Sequence, residues 1–221
     1  MRLELKRSIL RRDMSNETLV FVIMSCIVYL LIFLYFYPPY FIVSDEQHYL
    51  RTANLILKGK LWVDDEFYAY SFLKYKDRYV SRYPPGMSIL LLPFVVFGYR
   101  AAFLLNLLLF FLSFLVFYRI LKEMKMNRLL SFLFLLYPGF IYFSRNLLPE
   151  IPSLFFVLLT FYFYLKRKYF LSSIPASFSL LIRYTNVVCI LPFLFFPILR
   201  NKKNIRILLP CLLYTSPSPR D

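Results

Sequence analysis

Glycine and histidine are scarce in this chain, with 4 glycines and a single histidine, His48, among 221 residues. One histidine, and three cysteines at no metal-ligand or redox spacing, leave no zinc site of standard type. Cys26 and Cys189 lie inside apolar runs and read as inert core thiols. Acidic residues are also few, 12 against 27 Lys and Arg, giving a net charge of +15. The largest deficit is in polar surface. With 60% hydrophobic residues, 21% aromatics and a mean hydropathy of +0.60, a soluble domain of this length could not be covered, so the composition is that of a membrane-embedded chain. The positive charge does not point to nucleic acid, because the basic residues are not gathered on a polar domain.

They fall instead in short clusters between apolar runs. Arg2, Lys6, Arg7, Arg11 and Arg12 open the chain; Arg119, Lys122, Lys125 and Arg128 follow, then Lys166–Lys168, then Arg200, Lys202, Lys203 and Arg206. If these clusters mark one side, the positive-inside rule makes that side cytoplasmic. The first apolar run, 18–37, is long enough to span a bilayer core and lacks an A-x-A-like exit, so it reads as an uncleaved first span. A polar loop over 38–84 then lies outside. Segment 85–97 is too short to cross and reads as an interfacial helix. Spans at about 99–119, 129–143 and 151–165 follow, and 170–199 divides into two halves around Arg183. The predicted fold class is all-α, a polytopic transmembrane helical bundle of about six spans whose outer-face loop carries interfacial helices. Both ends of the bundle face the cytoplasm of a multi-pass cell-membrane protein. Residues 1–209 form the N-terminal part of a transmembrane domain. The Ser/Pro-rich stretch CLLYTSPSPRD breaks the pattern, so 210–221 reads as a non-native or disordered tail.

This topology leaves few charges on the non-cytoplasmic side, where ionisable groups at membrane depth cost roughly 2.5–3.5 kcal/mol unless they pair or work. In SDEQHYL, Ser44 and Gln47 fit a capping box that would start a helix, with Asp45 and Glu46 in its first turn favoured by the helix dipole. Those two acids therefore serve either as a helix start or as a general base. Asp45, His48 and Tyr49 share a helical face, whereas Glu46 points about 100° away, which favours Asp45 for chemistry without excluding Glu46. In RYPPG, Pro84-Pro85-Gly86 imposes an extended arrival and a sharp turn into the short apolar helix. Arg82 there suits either a lipid phosphate, held bidentately, or an interfacial anchoring role alongside Tyr83. In SRNLLPE, Arg145 and Glu150 either pair locally or face a shared polar cavity. Arg183 has no acidic neighbour in its own hairpin, so it turns to Glu150 or to a ligand phosphate. Asp64, Asp65 and Glu66 read as a solvated acidic loop.

The order of these segments resembles the GT-C membrane glycosyltransferases, closest to the family 39-like group of protein O-mannosyltransferases and the aminoarabinose transferase of lipid A. S-D-E-x-x-Y-L, K-G-x-L-W, R-Y-P-P-G-x-x-x-L-x-x-P and S-R-x-x-x-P-E-x-P carry the likeness over about residues 10–205. The resemblance implies sugar transfer from a polyprenyl-phosphate carrier to an acceptor at the non-cytoplasmic face. It implies Asp45 and Glu46 as the catalytic or acceptor-binding carboxylates, Arg82, Tyr83 and Arg183 near the donor phosphate, and His48, Tyr49, Arg145 and Glu150 in support. In the aminoarabinose-transferase pattern a Lys directly precedes Pro-Pro; here Tyr83 does, with Arg82 one place back. Family members are longer, and many carry a soluble C-terminal domain. The expected reaction is inverting, with Asp45 as general base and the partners a polyprenyl-phosphate-linked sugar, an acceptor of unassigned class and membrane lipids. A divalent cation has no clear ligand set in the sequence. The competing class is a polyprenyl-phosphate or glycolipid carrier, which needs the basic residues but no base.

Overall fold

The apolar runs fold as helices wherever no proline interrupts them. The computed structural model describes residues 20, 23–35, 37, 41–63 and 72–200. The N-terminal basic cluster, the acidic trio at 64–66 and the tail at 210–221 lie outside these residues. Helix α1 (Ile23–Tyr35) turns Tyr29 and Phe33, one helical turn apart, into the core and leaves Leu31 60% exposed on its other side. Short helix α4 (Tyr99–Ala102) leads through Phe103 into α5 (Leu104–Glu123), which forms the central post. Phe103 before it and Phe110 and Phe114 on it are buried in one core with Phe33, Met87 and Leu91.

Tyr99–Glu123, 25 residues with a mean hydropathy of 2.4, is the one stretch among the described residues long and apolar enough to cross a membrane. The other apolar helices are shorter. Helix α3 (Gly86–Val95) occupies the segment predicted to be a short interfacial helix. The segment expected to be one span at 129–143 is instead broken into a 3-10 turn (Arg128–Leu130), α6 (Ser131–Leu136) and α7 (Pro138–Ser144). The cause is Pro138, which holds Tyr137 extended at φ −70°, ψ 115° and so interrupts the helix. Helix α8 (Glu150–Leu165) follows, then α9 (Tyr169–Ile182), a turn at Tyr184–Asn186 and α10 (Val187–Arg200). Arg183, extended at φ −147°, ψ 123°, breaks the last pair where the sequence predicts.

Helices α8 and α9 pack closely through small residues. Ser172, Ser173, Ala176 and Ser179 are buried, and Ser172 donates to the Thr160 carbonyl across the interface at 2.9 Å. Small side chains allow such an approach, and their hydroxyls satisfy neighbouring carbonyls.

The fold is mostly helical, as expected, with one small sheet. The loop expected to hold interfacial helices carries α2 (Ser44–Leu57) and a three-stranded antiparallel sheet, β1 (Trp62–Val63), β2 (Phe72–Tyr75) and β3 (Arg78–Ser81), in the order β1-β3-β2. Alternation of β-branched, aromatic and polar residues over so few positions is weaker than a helical signal, which is why the strands escape a reading by periodicity. Helix α2 ends at Gly59, whose φ of 69° permits the left-handed closing turn, with Lys60 N–H donating to the Leu55 carbonyl at 2.9 Å.

The two ends of the helix assembly differ. Helices α5 and α8 finish side by side, where Lys166 pairs with Glu123 at 2.5 Å among the predicted cytoplasmic clusters. At the opposite end the starts of α2, α3, α5 and α8 meet the end of α9.

Candidate functional site

Helix α2 starts where SDEQHYL begins, but its cap differs in register from the expected one. Glu46, not Gln47, reaches back, and its Oε2 accepts from the Ile42 and Val43 amides at 2.6 and 3.2 Å. Its Oε1 accepts from the Leu147 amide at 2.8 Å, 101 residues away. Glu46 is completely buried. With three backbone donors on its two oxygens, this carboxylate is committed to joining α2 to the turn between α7 and α8, which gives it a structural task rather than a base's freedom.

Asn106 holds the same turn from the other side. Its amide nitrogen, fully buried on α5, donates to the carbonyls of Leu148 at 2.8 Å and Phe143 at 3.3 Å, and also to that of Asn146. Sequence reasoning passed over Asn106, although a lone amide within LLNLLLFFL was a usable signal: a buried polar group in an apolar run needs partners.

Asp45 lies on the other face of α2 with His48 and Tyr49, as the helical spacing predicts. Its Oδ1 accepts the Tyr83 hydroxyl at 2.7 Å. Tyr83 was expected beside a phosphate; here it is bonded to the carboxylate. The Arg82 guanidinium lies 4.9 Å from the centre of the Tyr83 ring. Burial, reinforced by the hydrogen bond to Asp45 and its charge, raises the Tyr83 pKa, so the phenol remains a donor. His48 Nε2 is 2.7 Å from Ser81 Oγ, and Ser81 Oγ in turn donates to the Tyr83 carbonyl at 3.1 Å. The His48 ring packs on Phe72 and Tyr83 at centroid distances of 4.5 and 4.8 Å. Its pKa falls to about 4, burial outweighing the nearby Asp45 charge, so it is a neutral imidazole at physiological pH.

The second cluster involves Glu150, at the start of α8, and Arg183, at the end of α9. Their side chains pair at 3.0 Å, both partly exposed. Glu150 thus turns to Arg183, while Arg145 caps the end of α7. Gly86 makes a separate close contact at this end. A Cβ there would sit 2.6 Å from the Leu181 carbonyl carbon and oxygen, so only glycine lets α3 begin against the end of α9. Asn186 locks the break, donating to the Ser179 carbonyl and accepting from Ser153 Oγ, each at 2.9 Å. Tyr49, whose main-chain carbonyl accepts from Ser88 Oγ at 3.1 Å, lies between the two clusters. Burial is the main cause of its raised pKa, and Asp45, Glu150 and Arg183 all act on its hydroxyl.

The structure therefore gathers Asp45, His48, Tyr49, Arg82 and Tyr83 in one cluster and brings Glu150 and Arg183 within electrostatic reach of Tyr49. It separates Glu46 from them as an anchor. Among the described residues no group of three His, Cys, Asp or Glu side chains is placed to hold a metal ion. An apolar groove of about 650 Å³ opens at the other end, between α5, α6 and α8, with no charged side chain in its lining.

Comparison with protein-family models, curated proteins and solved structures returned no match.

Proposed function

We propose that this chain is part of a multi-pass membrane glycosyltransferase of the GT-C kind, moving a sugar from a polyprenyl-phosphate donor to an acceptor at the non-cytoplasmic face. The observation that carries this reading is the Tyr83–Asp45 hydrogen bond, with Arg82 against the same ring. A carboxylate thus stands close to a cation able to receive a phosphate. The helices belong to a bundle of about six spans, with the short ones covered by neighbours or tilted into a locally thinned bilayer. Exposed apolar side chains along α1, α5, α9 and α10 support a lipid-facing exterior.

In the reaction the acceptor oxygen attacks the anomeric carbon as the bond from that carbon to the phosphate oxygen breaks. The electron pair leaves with the polyprenyl phosphate, whose charge Arg82 and Arg183 offset. The acceptor proton passes to Asp45, and attack from the opposite face inverts the anomeric centre. Tyr83 orients the carboxylate through Oδ1 and leaves Oδ2 for the acceptor.

The test is transfer of radiolabelled sugar from polyprenyl-phosphate donors by membranes containing the full-length protein, wild type against Asp45→Asn. A fall of about 100-fold or more is expected. Undiminished transfer in the variant would remove Asp45 as base. Movement of the glycolipid between leaflets with no transfer from any donor would favour the carrier reading.

A further inference from the structure

The small sheet in the outer loop has one face packed and one face open. Phe72 and Ser81, directly paired across β2 and β3, face α2, where Phe72 stacks on His48 and Ser81 bonds to it. Because side chains alternate along a strand, Trp62, Val80 and Leu73 point the other way. The register aligns these three across all the strands, Trp62 opposite Val80 and Val80 opposite Leu73. They form an apolar stripe, with Leu73 56% exposed. Arg78 flanks it, its guanidinium 4.1 Å from the centre of the Trp62 ring, and Lys76 at the hairpin tip lies over the Tyr75 ring. Residues 72–82 carry Lys74, Lys76, Arg78 and Arg82 against Asp77 alone.

We infer that this face of the sheet docks on the anionic headgroup layer of the membrane, with Trp62 and Leu73 entering the interface and Arg78 and Lys76 meeting lipid phosphates. Two observations point to lipid as the occupant. The charge complements an anionic surface, and tryptophan, tyrosine and long basic side chains around an apolar stripe suit the boundary between headgroup and hydrocarbon. The sheet is also tethered between two apolar helices, α1 before it and α3 after it, so a membrane that holds both brings the sheet to its surface. Docking there would fix the hairpin whose base carries Ser81, Arg82 and Tyr83, and so the Tyr83 hydroxyl on Asp45. The inference rests on the membrane part of the proposed function and not on its chemistry.

Trp62 is the chain's one tryptophan, so its fluorescence reports on this face alone. The full chain is reconstituted in phosphatidylglycerol–phosphatidylcholine vesicles with brominated acyl chains, and its co-flotation with them is measured. Quenching of Trp62 by the bromolipid, a blue-shifted emission and protection from acrylamide are expected. Leu73→Asp should reverse all three with the helix content unchanged, and Lys76→Gln with Arg78→Gln should weaken the dependence on phosphatidylglycerol. A chain that floats with the vesicles while Trp62 stays unquenched and open to acrylamide overturns the docking and leaves the membrane reading intact. Such a result would leave the face to a soluble partner or to water. A chain that does not float removes both.

Discussion

The Glu46 carboxylate accepts the Leu147 amide at 2.8 Å, tying the first turn of α2 to a turn 101 residues later. Two further amides, of Ile42 and Val43, share the same buried side chain. Glu46→Ala leaves all three donors without that acceptor. A loss of about 3 kcal/mol is expected, because stranded buried donors cost roughly 1–3 kcal/mol each and partial hydration recovers some of it. Thermal unfolding in detergent measures it. Asp45→Asn, at a partly exposed site, should shift the midpoint far less.

His48 makes stability depend on pH. Its folded pKa of about 4 lies below the ordinary 6.5, so between those values the unfolded chain binds a proton that the folded one does not. Stability is therefore full above pH 6.5 and falls as the pH drops, by about 3 kcal/mol at pH 4. His48→Phe should flatten this part of the profile, as read from unfolding midpoints across pH 4–7. An unchanged slope would assign the acid sensitivity to other groups.

Gly86 sets how closely α3 approaches the end of α9. Gly86→Ala places a methyl group 2.6 Å from backbone atoms of Leu181, which cannot rotate away. The helices must part, at a cost of about 1–3 kcal/mol. Because Arg183 follows directly, the same substitution should lower donor-dependent transfer more than stability alone accounts for, which a comparison at matched folded fraction would reveal.

The Glu150–Arg183 pair is partly exposed, so it contributes little to folding, under about 1 kcal/mol after solvent screening. Arg183→Gln should leave the unfolding midpoint nearly unchanged while raising the KM for a polyprenyl-phosphate donor. Glu150→Gln should act in the opposite direction on KM by freeing the guanidinium. Equal effects of both substitutions would argue against a phosphate at Arg183.

Scarcity of glycine has a structural cost at the other end of the molecule. Lys125 and Arg167 close α5 and α8 in the left-handed region, at φ 58° and 56°, where glycine is the favoured residue. Lys125→Gly and Arg167→Gly should each stabilise by about 0.5–1 kcal/mol, read as a higher unfolding midpoint. Failure to gain would mean that these side chains contribute contacts that offset the strain.

Much of the architecture was legible in local sequence. SDEQHYL starts a helix, PPG leads into a short apolar one, and Arg183 breaks the last apolar stretch, because carboxylates at a helix start, prolines and a charge in an apolar run act over a few residues. The break at Tyr137-Pro138 was as local, yet the surrounding hydrophobicity concealed it. Strands β1–β3 were hidden because two to four residues carry too little periodicity.

Chain chemistry alone determined that this protein is rich in apolar helices, that its charges collect between them, and that Asp45, His48 and Tyr49 share one face. Only the tertiary structure decided which partner each charge takes. Glu46 became an anchor because the Leu147 amide arrives beside it, Tyr83 met Asp45 because Ser81 and His48 pin the hairpin base, and Glu150 turned to Arg183 because α8 and α9 pack side by side. Those contacts span 33 to 101 residues, and no local propensity encodes which distant backbone will fill a given space.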